Sequence, residues 1–132
     1  MTDHKEIFLN KLNEAFAESD IQTILDSVTD DIRWTIIGDK TINGKKAFTE
    51  ALHEMKSENR MELWISNIIT HGDMAAVNGT IKSPNEEWFG FCDVYELQGY
   101  RNPKIKEMTS YVVELKEESK PQQPTVANYE KS

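Results

Sequence analysis

The N-terminal part of the chain places apolar residues at helical spacing. The first stripe repeats at i, i+4, i+7 and i+8 and consists of Phe8, Leu12, Ala15 and Phe16. Asp3 and Glu6 have capping-box spacing and place the start of this helix. Ser19 and Gln22 repeat that spacing before a second, shorter stripe made of Ile21, Ile24, Leu25 and Val28. The pattern therefore predicts two successive helices.

The spacing then changes to the two-residue period of a β-strand. Apolar residues alternate with polar ones at Ile32, Trp34 and Ile36. Gly38 ends this strand, and Asn43-Gly44 marks a turn. A third helix is predicted to begin near Lys45, and its apolar side consists of Phe48, Ala51, Leu52 and Met55.

The rest of the chain is typical of strands joined by short turns. We predict strands over residues 61–70, 74–82, 87–97 and 104–115. Parallel strands need a connection of about a dozen or more residues, so these strands are expected to pair as antiparallel hairpins. The element order predicts an α+β fold in which one curved sheet packs around the helices.

Length and composition indicate one globular domain. A chain of 132 residues fits a single domain, which we place at residues 1–116. Residues 117–132 contain prolines, glutamines and charges with few bulky apolar groups, and are expected to form a mobile tail. Cys92 is the only cysteine, so no internal disulfide can form.

The charge and the apolar runs exclude several kinds of partner. The net charge of −8 repels phosphate backbones, so no nucleic-acid partner is expected. No apolar run approaches the roughly 20 residues of a membrane helix. Residues 1–6 lack the basic-then-apolar order of a signal peptide, and we expect a cytoplasmic protein. His53-Glu54 begins like a zinc-protease motif without the second histidine, so no metal is expected. No cofactor is expected either.

Asp93 is the carboxylate that the pattern singles out for chemistry. By strict alternation its strand face also carries Phe89, Phe91, Tyr95 and Leu97. A carboxylate among aromatic side chains is partly desolvated, which makes it a better proton acceptor. The alternative is that Asp93 pairs with a neighbouring side chain or amide and only fixes the hairpin.

Three stretches of the chain resemble a known superfamily. They are residues 31–38, with an acidic turn before Trp34 and Gly38; residues 42–48, with Gly44 before the third helix; and residues 91–96, followed by residues 104–105 and 110–111. In this order, over residues 5–115, they resemble the nuclear transport factor 2-like superfamily, which includes SnoaL-like and ketosteroid isomerase-like domains. The resemblance implies a cone-like fold with three helices from the N-terminal half packed in a strongly curved, mostly antiparallel sheet around a central apolar pocket.

The residue pattern of these strands, taken together with this resemblance, gives candidate site residues. The catalytic candidates are Asp93 and Tyr111, although Tyr111 and Ser110 lie on opposite strand faces and a regular strand turns only one of them to the pocket. Relatives often carry a second acid after this tyrosine, whereas this chain has Val112 and Val113 there. The ligand-binding candidates are Trp34, Met55, Phe91, Tyr95, Met108 and Ser110. For Trp34, Met55 and Met108 the alternative is packing in the core.

Three functional hypotheses follow. The first is a homodimeric enzyme that binds a small apolar, cyclic or carbonyl compound, with Asp93 moving a proton while Tyr111 or a water polarises an oxygen. The second is a non-catalytic ligand-binding module with the same pocket, which the missing second acid favours. The third is a protein-interaction adaptor. Trp64 and Trp88 are expected to cover a sheet face or contact a partner copy.

Overall fold

The computed structural model describes residues 4–56, 60–117 and 120 of the chain. The helices are α1 (His4–Glu18), α2 (Ile21–Leu25) and α3 (Lys45–Met55). The strands are β1 (Val28–Ile36), β2 (Lys40–Asn43), β3 (Glu62–His71), β4 (Met74–Lys82), β5 (Trp88–Gln98) and β6 (Lys104–Glu114). None of the helices in these ranges is long and apolar enough to cross a membrane.

All six strands form one sheet in the order β2-β1-β6-β5-β4-β3. β1 and β6 pair in parallel, and the chain between them passes through β2, α3 and the β3–β5 meander. Every other pair of neighbouring strands is antiparallel. The predicted α+β class and the mostly antiparallel curved sheet are therefore confirmed. β5 lies between β4 and β6, so its side chains are flanked by strands on both sides.

The core lies between the helices and one face of this sheet, which we call the inner face. On β5 the inner face carries Phe91, Asp93 and Tyr95, and on β6 it carries Met108 and Ser110. The opposite side, the outer face, carries the alternate residues of the same strands. This division follows from the two-residue period of a strand, which sends neighbouring side chains to opposite sides.

Aromatic packing fixes β1 against the helices. The Trp34 ring meets Phe16 of α1 edge-on with centroids 5.9 Å apart, and Phe48 of α3 with centroids 5.5 Å apart. Edge-to-face pairs of this kind contribute about 0.5–1.5 kcal/mol each beyond the area they bury. Trp34 therefore holds α1, α3 and the sheet together at one point.

Three local features differ from the sequence-based prediction. Val28, which was assigned to the apolar stripe of the second helix, is instead the first residue of β1. β2 was not predicted, because in this four-residue strand only Ile42 is buried and the flanking glycines are typical of a loop. The N-cap of α2 is Asp20, whose side chain accepts a bond from Thr23 N, and the predicted cap Ser19 is wrong. Ser19 instead has a positive φ of 56° between α1 and α2. The Asp3 cap lies outside the described residues.

Gly79 of β4 allows a close approach on the inner face. A Cβ at Gly79 would lie 2.1 Å from the Trp64 carbonyl oxygen and 3.1 Å from the Phe91 ring. The approach coincides with a bulge in β3, where the register shifts between Ile65 and Asn67. Bulges bend a strand and increase its twist, so Gly79 leaves room for β3 to approach β4 where the sheet curves.

The predicted tail, residues 117–132, lies outside the described residues apart from Glu117 and Lys120.

Candidate functional site

A cavity of about 190 Å³ lies between α1 and the inner face of the sheet. Helix α1 contributes Asn13, Phe16 and Ala17, and Met55 at the end of α3 lies at its rim. Three of the described lining residues are polar, namely Asn13, Asp93 and Ser110, and the others are apolar. The cavity is therefore an apolar space with a few converging polar groups, as small-molecule sites usually are.

Asp93 lies in the cavity wall near the middle of the sheet. Its Cα pairs with Val77 of β4 on one side and with Ser110 of β6 on the other. No register shift falls between Phe91 and Tyr95, so strict alternation holds along this part of β5. Asp93 consequently lines the same cavity as Phe91.

Two hydroxyl groups hold the Asp93 carboxylate. The Ser110 hydroxyl donates to it from β6. The Tyr95 hydroxyl donates to Asp93 Oδ2 over 3.4 Å from the same strand. These bonds restrict the carboxylate to one orientation in the cavity wall.

Each of these hydroxyls accepts a bond in turn. Trp34 Nε1 donates to Ser110 Oγ over 2.9 Å. Asn13 Nδ2 donates to the Tyr95 hydroxyl over 3.4 Å, and also to the Leu9 carbonyl over 2.8 Å. Asp93 is therefore the end point of two chains of hydrogen bonds, one from β1 and one from α1.

Burial sets the protonation of Asp93. Desolvation raises the pKa of its carboxyl from 3.8 to about 6, against the opposing effect of the hydrogen bonds from Ser110 and Tyr95. Burial also raises the pKa of the Tyr95 hydroxyl well above 10, and the nearby Asp93 charge adds to this rise. Tyr95 thus stays a neutral donor while Asp93 exchanges its proton near neutral pH.

The structure brings most of the predicted ligand-binding residues to the cavity. The wall contains Trp34, Met55, Phe91, Met108 and Ser110. Tyr95 is 1% exposed and lies behind Asp93, outside the wall itself.

Tyr111 is not placed with Asp93. It pairs with Cys92, points to the outer face and is 45% exposed. The hydroxyl that reaches the carboxylate from β6 is that of Ser110, because neighbouring residues of a strand point to opposite sides.

Sequence reasoning missed Asn13. The predicted helical stripe ran through Phe8, Leu12 and Phe16 and passed over this residue. Asn13 stands four positions after the buried Leu9 and three before Phe16, so it lies on a buried face of α1. An asparagine at that spacing on an apolar face is the pattern that would have identified it.

The family model of the SnoaL-like domain matches residues 9–108, which is most of the chain. This chain belongs to the SnoaL-like domain family. The predicted resemblance to the nuclear transport factor 2-like superfamily is thereby confirmed. The matched range of this SnoaL-like domain runs from Leu9 to Met108 and contains Asn13, Trp34 and Asp93, although not Ser110. No curated protein matches its sequence.

Solved structures share the fold at low sequence identity. A nuclear transport factor 2-like protein of unknown function from Cytophaga hutchinsonii is 25% identical, with a TM-score of 0.60 over 82% of this chain and 98% of that one. An LEH-like epoxide hydrolase of M. tuberculosis is 23% identical, with a TM-score of 0.64 over 77% and 76% of the two chains.

A third match is a Kribbella flavida protein provisionally named as a ketosteroid isomerase. It is 13% identical, with a TM-score of 0.72 over 95% of this chain and 93% of that one. The SnoaL-like domain thus shares one architecture with proteins of several activities, and at this identity the likeness concerns the fold alone.

Proposed function

We propose that this SnoaL-like domain binds a small, largely apolar ring compound in the cavity, and that Asp93 moves a proton on it without a cofactor. The observation that carries the proposal is the Asp93 carboxylate in an apolar wall, with its pKa raised by burial to about 6. A general base works best when its pKa lies near the working pH, because it is then ionised and still holds a proton well.

The neighbours of Asp93 support this role. Ser110 and Tyr95 orient the carboxylate, and Trp34 holds Ser110 in turn. Trp34, Phe91 and Met108 offer apolar contacts to a ring. In this proposal the hydroxyl of β6 that acts beside Asp93 belongs to Ser110 and not to Tyr111.

A non-catalytic binding protein is the second candidate. Asp93 is the only carboxylate among the described lining residues, and none of the others is a lysine, arginine or histidine. Acid–base enzymes commonly place a second titratable group at the site, so a lone carboxylate also suits a protein that only holds its ligand.

We also propose that two copies associate through the outer face. This face exposes apolar side chains, including Val113 at 65% and Tyr111 at 45%. Trp64 and Trp88 stack on it with ring centroids 5.2 Å apart. Exposed apolar area of this kind on a sheet is typical of an interaction surface. A cytoplasmic location stays a prediction.

The test compares wild type with Asp93→Asn on a set of one-ring alcohols, amines, ketones and epoxides, followed by proton NMR in D2O. We expect wild type to bind at least one compound and to convert it or exchange its protons. Asp93→Asn should lower that rate by about 100-fold or more, as loss of a general base does. The wild-type rate should rise with pH through about 6.

The matched control is Asp39→Asn, which changes an exposed carboxyl in the turn between β1 and β2 and should leave the rate unchanged. Binding without any conversion would favour the second candidate. If no compound binds, the pocket hypothesis fails.

A further inference from the structure

The side-chain donors of the described cavity wall are all engaged within the protein. Trp34 Nε1 donates to Ser110 Oγ, and the Ser110 hydroxyl donates to Asp93. The two Asn13 amide hydrogens go to the Leu9 carbonyl and the Tyr95 hydroxyl. The other described lining residues have apolar side chains. The wall therefore offers a ligand no free side-chain donor from these residues.

The Asp93 carboxylate, in contrast, keeps unused acceptor capacity. An ionised carboxylate has about four lone-pair sites, and Ser110 and Tyr95 fill two of them. Burying an acceptor that keeps unfilled lone-pair sites is costly, so a donor supplied by a ligand is favoured there. The cavity is thus matched to a ligand that donates a hydrogen bond.

The charge of the wall acts in the same direction. The described lining residues include one carboxylate and no lysine, arginine or histidine. A ligand carboxylate would meet Asp93 as a like charge in an apolar space, where repulsion is weakly screened. The net charge of −8 also lowers the local concentration of anions around the protein.

Size and shape limit the apolar part of the ligand. The cavity of about 190 Å³ is slightly larger than an engineered apolar cavity of roughly 150 Å³ that takes up benzene. Phe16, Trp34 and Phe91 supply aromatic surface in the wall. Aromatic faces attract both neutral rings and organic cations. One ring with a short side chain fits this space.

We propose that the occupant is a one-ring compound that donates a hydrogen bond to Asp93 through a hydroxyl or an ammonium group, and that carboxylates and donor-free carbonyl compounds are disfavoured. This inference rests on the proposed binding function and narrows its ligand class. It departs from the carbonyl compounds of the first functional hypothesis, since no described side chain of the cavity wall is free to polarise a carbonyl oxygen.

The test uses five probes of nearly equal shape: toluene, benzyl alcohol, benzylamine, benzaldehyde and benzoate. Dissociation constants are measured at pH 7.5 by calorimetry, with competition NMR for weak binders. We expect benzyl alcohol and benzylamine each to bind at least about tenfold more tightly than benzaldehyde, because one good hydrogen bond to a charged group raises the affinity by at least that factor. Benzoate should bind most weakly.

Two variants assign the preference to its cause. Asp93→Asn gives the wall an amide donor, so the advantage of benzyl alcohol over benzaldehyde should fall by about tenfold or vanish. Ser110→Ala frees Trp34 Nε1, and benzaldehyde should then bind more tightly than it does to wild type. Asp39→Asn, in the exposed turn, should keep the wild-type order of affinities.

The outcomes separate this inference from the proposed function. If toluene, benzaldehyde and benzyl alcohol bind wild type equally well, the pocket stands and the donor preference is wrong. Equal or tighter binding of benzoate would also overturn the preference. If none of the five probes binds a folded wild-type protein, the proposed binding function fails and takes the inference with it.

Discussion

The two faces of β5 and β6 are built from alternate residues of the same strands and differ in kind. On the inner face, Ser110 is 6% exposed and bonds to both Trp34 and Asp93. On the outer face, the next residue, Tyr111, is 45% exposed. One residue along the chain thus separates a partnered polar group in a cavity from an exposed aromatic ring.

The difference shows where each face obtains its partners. On the inner face, the hydroxyls of Ser110 and Tyr95 each accept a bond from a side chain of β1 or α1, so the chain itself preorganises the cavity. The apolar residues of the outer face, such as Val113, stay exposed in the described part of the chain. Preorganisation favours ligand binding because ordering the groups costs little at that moment.

The largest effect is expected from adding one methyl group to the inner face. Gly79→Ala places a Cβ 2.1 Å from the Trp64 carbonyl oxygen, which is backbone and cannot rotate away. Overpacking typically costs about 1–3 kcal/mol, and a backbone clash belongs at or above the upper end. Urea unfolding should therefore show a loss of about 3 kcal/mol or more.

The outer face supplies the matched control, Gly90→Ala. Its Cβ would lie 3.5 Å from Leu115 Cδ2, an ordinary contact, so we expect a change of less than about 1 kcal/mol. Equal losses at the two glycines would contradict the assignment of the close approach to the inner face.

Asp93 should make the free energy of unfolding decrease as the pH rises. Its folded pKa of about 6 lies above the unfolded value of 3.8, so the folded state holds the proton more tightly. Its stabilising contribution is complete below 3.8 and is lost as the pH rises through about 6, for a total of at most about 3 kcal/mol. Asp93→Asn should remove this decrease in urea unfolding measured from pH 4 to pH 8.

The control for this effect is Asp39→Asn, which alters an exposed carboxyl and should keep the wild-type pH dependence. The groups that face Asp93 are the hydroxyls of Ser110 and Tyr95, with uncharged Val77 opposite on β4 and Asn13 of α1 behind Tyr95. A decrease that persists in Asp93→Asn would assign it to other groups.

The smallest effect on folding is expected at the outer face. Val113→Lys changes a 65% exposed residue, so the free energy of unfolding of the single chain should shift by less than about 0.5 kcal/mol. Sedimentation velocity should nevertheless show a weakened dimer, because a lysine would be buried in the proposed contact. Tyr100→Lys, in the turn after β5, is the control and should leave association unchanged. A wild type that is monomeric at high concentration would contradict the dimer proposal.

Most of the fold could be predicted because its elements follow strong local patterns. The period of β4 and the turns around it reproduce Met74–Lys82 without error. β2 was not predicted from the sequence, because Ile42 is the single buried residue of this four-residue strand. The α2 cap was misplaced because Ser19-Gln22 and Asp20-Thr23 have the same spacing, and only the backbone angle of Ser19 distinguishes them.

The candidate site was predictable only in part. The sheet face on which the Asp93 side chain lies follows from alternation, because no register shift interrupts β5 near this residue. Its partners do not follow from local pattern, since Asn13 and Tyr95 are 82 residues apart and Trp34 and Ser110 are 76 apart. The raised pKa depends on the burial that these distant contacts produce, and so it became visible only in the folded chain.

The parallel pairing of β1 with β6 has a consequence for folding. It joins Val28 to Ile105 and Trp34 to Met108, so the sheet gains this contact only after nearly the whole domain has left the ribosome. Contacts of such long sequence separation slow folding, because the intervening loop must be closed first. Until then Trp34 and Ser110 stay apart. The cavity is therefore among the last parts of the molecule to form, and a nascent chain that stops before β6 lacks the wall that this strand provides.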